Sequence, residues 1–142
     1  MSVSATFQKL CDIVAASSGI SKAPKIFPPV LNASDLPCAI VIPGPAEWNE
    51  QANALYRQVR TYIIRVYVKP VALGKGIDEG VQACLGPMNA LGRTFLTNLT
   101  LDNTVDEVMQ PMSDSGVKGD LLYAAVPYHG FEFQIQVKEK ST

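Results

Sequence analysis

The sequence predicts an α+β domain: a mostly antiparallel sheet of four to five strands, with a long core helix and an N-terminal helix packed on it. Three observations lead there. Phe131, Phe133, Ile135 and Val137 alternate without a break against Glu132, Gln134, Gln136 and Lys138, the period of a strand with one dry and one wet face. Ile77, Val81, Cys84, Leu85, Met88, Leu91, Phe95 and Leu99 recur every three or four residues, the period of an amphipathic helix. Residues 57–69 are dense in β-formers, including Tyr62, Ile63, Ile64, Val66, Tyr67 and Val68.

Taken in order, residues 3–17 place Val3, Phe7, Leu10, Cys11 and Val14 at helical spacing, with Gln8 and Asp12 opposite and Gly19 set to end the helix. From 20 to 37, Pro24, Pro28, Pro29 and Pro37 forbid both a helix and a central strand, so this stretch is an extended arm. Ile26, Phe27, Val30 and Leu31 are too many apolar residues for a free linker. The arm is therefore expected to lie against the domain or a neighbouring subunit. Cys38 to Ile42 is a strand, which Pro43-Gly44-Pro45 ends or kinks before Trp48. The polar stretch 49–54 then joins it to the 57–69 strand in a long hairpin. Tyr62, Ile64, Val66 and Val68 share one face of that second strand; Val59, Thr61, Ile63, Arg65 and Tyr67 share the other, which is also substantially apolar, so cover is expected on both sides.

Gly74 and Gly76 mark the turn into the long helix. Asp78 and Glu79 in its first turn and Arg93 late in it match the helix dipole, while Gly86-Pro87 should kink it or divide it into two short helices. Asp106 to Met112 reads as a strand that Pro111 confines to a sheet edge. A turn at Asp114-Ser115-Gly116 leads to strands over 121–126 and 131–138, separated by Pro127-Tyr128-His129-Gly130, and 139–142 reads as a flexible tail. The helices are expected on one side of the sheet.

The 142 residues, 47% apolar and 18% charged, suit one domain over 1–142 that needs no disulfide or metal to fold. Twelve basic against 13 acidic side chains leave no excess with which to grip phosphates. Arg57, Arg60 and Arg65 lie on one predicted strand and read as a solvated strand edge. Cys11, Cys38 and Cys84 are an odd number, far apart and without a CxxC pair, which fits buried free thiols in a reducing compartment. Lys9 and Asp12 interrupt the only candidate for a signal peptide, so cytosolic synthesis and residence are expected. The apolar runs Leu36–Pro43 and Tyr62–Val68 fall short of the roughly 20 residues that span a bilayer.

No catalytic pattern emerges. The single histidine, His129, sits in a predicted turn with no GxSxG, HExxH or Cys-His signature around it. Gly74-Lys75-Gly76 lacks the spacing of a phosphate loop, and Asp12, Asp78, Glu79 and Asp102 form no metal-ligand pattern. Neither cofactor nor metal is expected. Trp48, alone among polar neighbours, reads either as a plug under the hairpin or as an interface anchor. Met109 and Met112 read as core filling. The apolar surplus of residues 59–68 and of the arm exceeds what a lone domain needs, as in a subunit of a ring or tube.

An N-terminal helix leads to Leu36-Pro37-Cys38-Ala39-Ile40-Val41-Ile42-Pro43-Gly44. The strand Arg60-Thr61-Tyr62-Ile63-Ile64-Arg65-Val66-Tyr67-Val68, a long helix and a closing Tyr128-His129-Gly130-Phe131-Glu132-Phe133 strand follow. In that order of elements, over nearly its whole length, the chain resembles the tail terminator (tail completion) proteins of long-tailed bacteriophages. The resemblance implies a virion protein of the tail or neck, assembled in the host cytoplasm as a homo-oligomer, a hexameric ring. Such a ring caps the tail tube protein, stops elongation and docks to the head connector or stopper protein. DNA passes through its lumen without specific binding, and no membrane, cofactor or reaction is involved. By this analogy the 43–57 hairpin tip touches the next ring, which makes Glu47, Trp48, Asn49, Arg57 and Arg60 the candidate assembly contacts. Two other readings fit the same residues. One is a neck or head-completion adaptor subunit or a tail tube protein; the other is a small ligand-binding or enzymatic domain with a pocket between sheet and kinked helix.

Overall fold

Alternation and helical period place seven main elements along the chain, which a computed structural model describes over residues 3–50, 56–71 and 77–141. They are α1 (Val3–Ala15), β1 (Cys38–Glu50), β2 (Tyr56–Pro70), α2 (Ile77–Leu96), β3 (Glu107–Asp114), β4 (Lys118–Tyr123) and β5 (Val126–Ser141), with a short 3-10 turn at Ala33–Asp35. The fold is α+β. One antiparallel sheet runs in the order β1-β2-β5-β3, and β4 also pairs with β5.

The front of the sheet holds the main core. Tyr62, Ile64 and Val66 of β2, Ala39 and Val41 of β1, and Phe131, Phe133, Ile135 and Val137 of β5 meet Leu10 and Val14 of α1 and Cys84, Leu91 and Phe95 of α2. Phe95 stacks on Phe133 with ring centres 5.8 Å apart. Each large apolar side chain fully buried here contributes about 1.5–3 kcal/mol. α2 is continuous across Pro87. A proline ring clashes with the Cβ of the residue before it when that residue is helical, and Gly86 has none. Pro87 is itself buried beneath Gly19, the left-handed residue (φ +85°) just beyond α1.

The back of the sheet carries a second, smaller cluster. Cys38 and Ile40 of β1, Tyr67 of β2, Leu121 of β4 and Tyr128 of β5 are buried together, with Leu31, Leu36, Ile42 and Tyr123 packed around them. Both faces of β2 are thus covered, as its composition predicts. The Arg57, Arg60 and Arg65 reading is corrected: β2 is an interior strand, and Arg65 is paired with Glu132 across it at 3.1 Å.

Two further expectations are corrected. Pro127-Tyr128-His129-Gly130 is not a turn but the first part of β5; the chain reverses at Ala124-Ala125, both left-handed with φ of 51° and 67°. The prolyl residue fits because it stands at the start of the strand, where its carbonyl accepts the Val71 N–H at 3.2 Å. The tail does not begin at 139, since β5 continues to Ser141 and Glu139 is buried opposite Gln58. β3, by contrast, is an edge strand as Pro111 requires, with a register shift between Met109 and Ser113.

Gly130 makes the pairing of β2 with β5 sterically demanding. A Cβ added there would lie 1.9 Å from the Val66 carbonyl oxygen, a backbone atom that cannot step aside. Gly130→Ala is therefore expected to cost at least the ~3 kcal/mol of a severe overpacking substitution. Gly92→Ala, in α2 where an added Cβ meets nothing within 4 Å, should raise stability by about 0.5–1 kcal/mol. Urea denaturation of the two variants checks the opposite signs.

Candidate assembly surface

Pro43, Gly44 and Pro45 do not end β1. They insert one extra residue into it, so the pairing shifts register and resumes at Ala46 opposite Arg60. β1 thereby runs on alongside β2 beyond the core residue Tyr62, with Glu47 opposite Val59, Trp48 opposite Gln58 and Asn49 opposite Arg57. All five candidate contacts lie on this one extension. Cross-strand partners share a face, so the five separate into two groups. Trp48 and Arg60 lie on the helix-covered face, and Glu47, Asn49 and Arg57 on the other. Of the hairpin tip, residues 51–55 lie outside the described residues.

Arg60 is not a free charge. Its guanidinium donates to the Gly44 carbonyl at 2.9 Å and to Gln58 Oε1 at 3.1 and 3.3 Å, so it braces the bulge from the neighbouring strand. Gln58 is buried, as is Glu139 beside it in the next strand. The Tyr62 hydroxyl donates to Glu139 Oε1 at 3.3 Å. Burial first, and then the Glu139 carboxylate, push that hydroxyl well above its ordinary range, so it remains a donor at physiological pH. Glu139 Oε2 and Arg57 Nε are buried without a partner among the described residues. Sequence reasoning missed Gln58 and Glu139. The signal available was two polar residues on the face that carries Tyr62, Ile135 and Val137. Trp48 lies over this layer but is 54% exposed, so it is not a plug.

The arm is clipped rather than loose. Ser21 N–H donates to the Pro37 carbonyl and Ala39 N–H to the Lys22 carbonyl, both at 2.8 Å, which adds a short rung to the outer edge of β1. Lys22 Nζ donates to Asp35 Oδ1 at 2.6 Å, and the Asn32 N–H to Oδ2 at 3.0 Å. Leu31 and Leu36 enter the back cluster, and the Tyr123 hydroxyl donates to the Pro28 carbonyl. Ile26, Phe27 and Val30 stay outside, 88%, 46% and 56% exposed.

His129 is boxed in between two glycines. A Cβ on Gly80 would come within 2.5 Å of its ring and one on Gly119 within 3.4 Å, and its Nδ1 has no partner among the described residues. Cys11, Cys38 and Cys84 are buried and unpaired, and burial pushes the Cys11 and Cys38 thiols up to about 11 and raises that of Cys84. Among the described residues, no group of three or more His, Cys, Asp and Glu is gathered as for a metal ion, and no helix is long and apolar enough to cross a membrane. Comparison with known proteins finds no family model that matches this chain and no curated protein similar to it.

Two measurements follow. Trp48→Ala should lower stability by less than about 1 kcal/mol, against the 3–5 typical of a buried aromatic, in thermal unfolding of the isolated chain. The Lys22 bond and, after it, the Asn32 bond hold the Asp35 carboxyl below its ordinary value of 3.8. A lowered carboxylate stabilises the clip above that ordinary value, and its contribution is lost as the pH falls through the folded one. Hydrogen exchange at Ala39, corrected for intrinsic rate, should therefore accelerate below about pH 3.8, and Asp35→Asn should bring the faster exchange to neutral pH.

Proposed function

We propose that the chain is a structural assembly subunit, a ring-forming tail terminator that caps a phage tail tube, stops its elongation and joins the tail to the head connector. The observation that carries this reading is the strand extension beyond the core, which presents the half-exposed Trp48 with Glu47 and Asn49 at one end of the molecule. A solvent-facing tryptophan on a braced, sheet-like platform is the anchor type that dominates interface energetics. The exposed Ile26, Phe27 and Val30 add a second apolar surface for contact between copies. A ring of identical subunits needs such heterologous contacts, each burying about 1,000 Å² or more in total. Virion localisation and passage of DNA through the lumen belong to the same proposal.

Native mass spectrometry and negative-stain imaging test it. The expected result is single rings of six copies that bind the ends of purified tail tubes and block their growth. Trp48→Ala should weaken end-binding at least tenfold while rings persist. Long cylinders formed by this chain alone would assign it to the tube instead. A monomer that neither oligomerises nor binds tubes overturns the reading.

A further inference from the structure

β2 lies between β1 and β5, and the polar layer at its hairpin end offers it hydrogen-bond acceptors on both neighbours. On the β1 side is the Gly44 carbonyl, at the bulge that sets the direction of the strand beyond it. Gly44 presses close to β2, since a Cβ there would lie 2.8 Å from the Thr61 carbonyl oxygen. On the β5 side is the Glu139 carboxylate, wholly buried, with Oε1 taken by the Tyr62 hydroxyl and Oε2 without a partner among the described residues.

Arg60 stands between them. Its register partner on β5 is Val137, so Glu139 is its diagonal neighbour on the same face, within the span of a long side chain. In the structure Nη1 donates to the Gly44 carbonyl at 2.9 Å, while Nε and Nη2 donate to Gln58 Oε1. Both of these acceptors are neutral amides. Glu139, the acidic group of the set, keeps an unpartnered oxygen, although a guanidinium bonds a carboxylate more strongly than an amide. Leaving a buried acceptor unserved is costly, so a posture that serves it competes with the one observed. Because β1 and β5 flank β2 on opposite sides, turning toward Glu139 takes Nη1 away from Gly44.

We infer that Arg60 is a two-position latch. Turned to β1 it braces the bulge and fixes the extension. Turned to Glu139 it satisfies the buried carboxylate and releases residues 46–49, which re-aims the half-exposed Trp48. A group inside the core thereby controls the direction of a surface side chain. The latch belongs to the single chain and does not depend on the ring reading.

Trp48 is the one tryptophan of the chain, so its indole N–H reports on the extension alone. NMR relaxation dispersion on the isolated full chain reads exchange at that group and at Arg60 Nε–H. The expected result is two states, with the same rate and the same populations at both positions. Glu139→Gln, which keeps the shape and removes the charge, should cut the released population about tenfold, the worth of a charge-assisted bond over a neutral one. Arg60→Met, which keeps the stem and removes the donors, should abolish the exchange and speed amide hydrogen exchange along residues 46–49. Absence of exchange in the wild-type chain, or unrelated rates at the two positions, overturns the latch whatever the variants do. Exchange that persists unchanged in Glu139→Gln overturns it as well. A latch found in a chain that forms no rings stands while the ring reading falls, and rings built on a Trp48 without exchange do the reverse.

Discussion

Everything in this architecture follows from β2 being apolar on both faces while lying inside the sheet. A strand of that kind cannot leave either side to water, and one layer of helices covers only one. α1 and α2 supply the front cover over Tyr62, Ile64 and Val66. The back cover over Tyr67 has to come from elsewhere, and the chain provides it with the arm and the β4–β5 hairpin, which bring Leu31, Leu36, Leu121 and Tyr123 together there. The long connection between α1 and β1 is therefore structural. Its leucines complete a core, and its prolines keep it extended enough to reach.

What the sequence disclosed and what it concealed divide along physical lines. Periodicity is a property of single elements, so α1, α2 and the alternating run of β5 were legible, as was the double-sided burial of β2. The edge position of β3 was legible because Pro111 has no N–H to donate. The start of β5 was not. Proline and glycine are turn residues by intrinsic preference, but Gly130 lies in the strand because the Val66 carbonyl comes so close that no other residue fits. The true reversal uses Ala124-Ala125, two residues with no preference for the left-handed backbone they adopt. Glu139 read as a tail residue because charge near a terminus usually faces water, whereas here it accepts the Tyr62 hydroxyl bond from inside. For the five candidate contacts, sequence distance gave their grouping on one hairpin, but only the register across the bulge places them on two faces.

The arm also explains why the apolar surplus of the chain is only partly a surface. Leu31 and Leu36 are used within one copy, which removes them from any account of assembly. Ile26, Phe27 and Val30 belong to the same short stretch yet face outward. One segment thus does two jobs, and the Lys22–Asp35 clip that keeps its inner residues seated also sets the position of its outer ones. Asp35 is buried in that pair while Lys22 stays exposed, so solvent screens the lysine end of it. Its role is to fix geometry at little cost.

The energetics of a single lateral contact then set how a ring of this chain would behave. A contact that buries one or two exposed apolar side chains contributes about 1.5–3 kcal/mol for each. Association costs roughly 4–15 kcal/mol in lost translational and rotational freedom. One such contact alone therefore holds two copies only weakly. Closure changes the balance, because the last copy added to a ring makes two contacts for one loss of freedom. A platform such as Trp48 and its neighbours, pressed against a tube end, would further lower the cost by gathering the copies before they meet. Ring formation by such a subunit is thus expected to be steep in concentration and to be promoted by the surface it caps. Those are the properties that would let a terminator remain dispersed while a tube grows and close once an end is available.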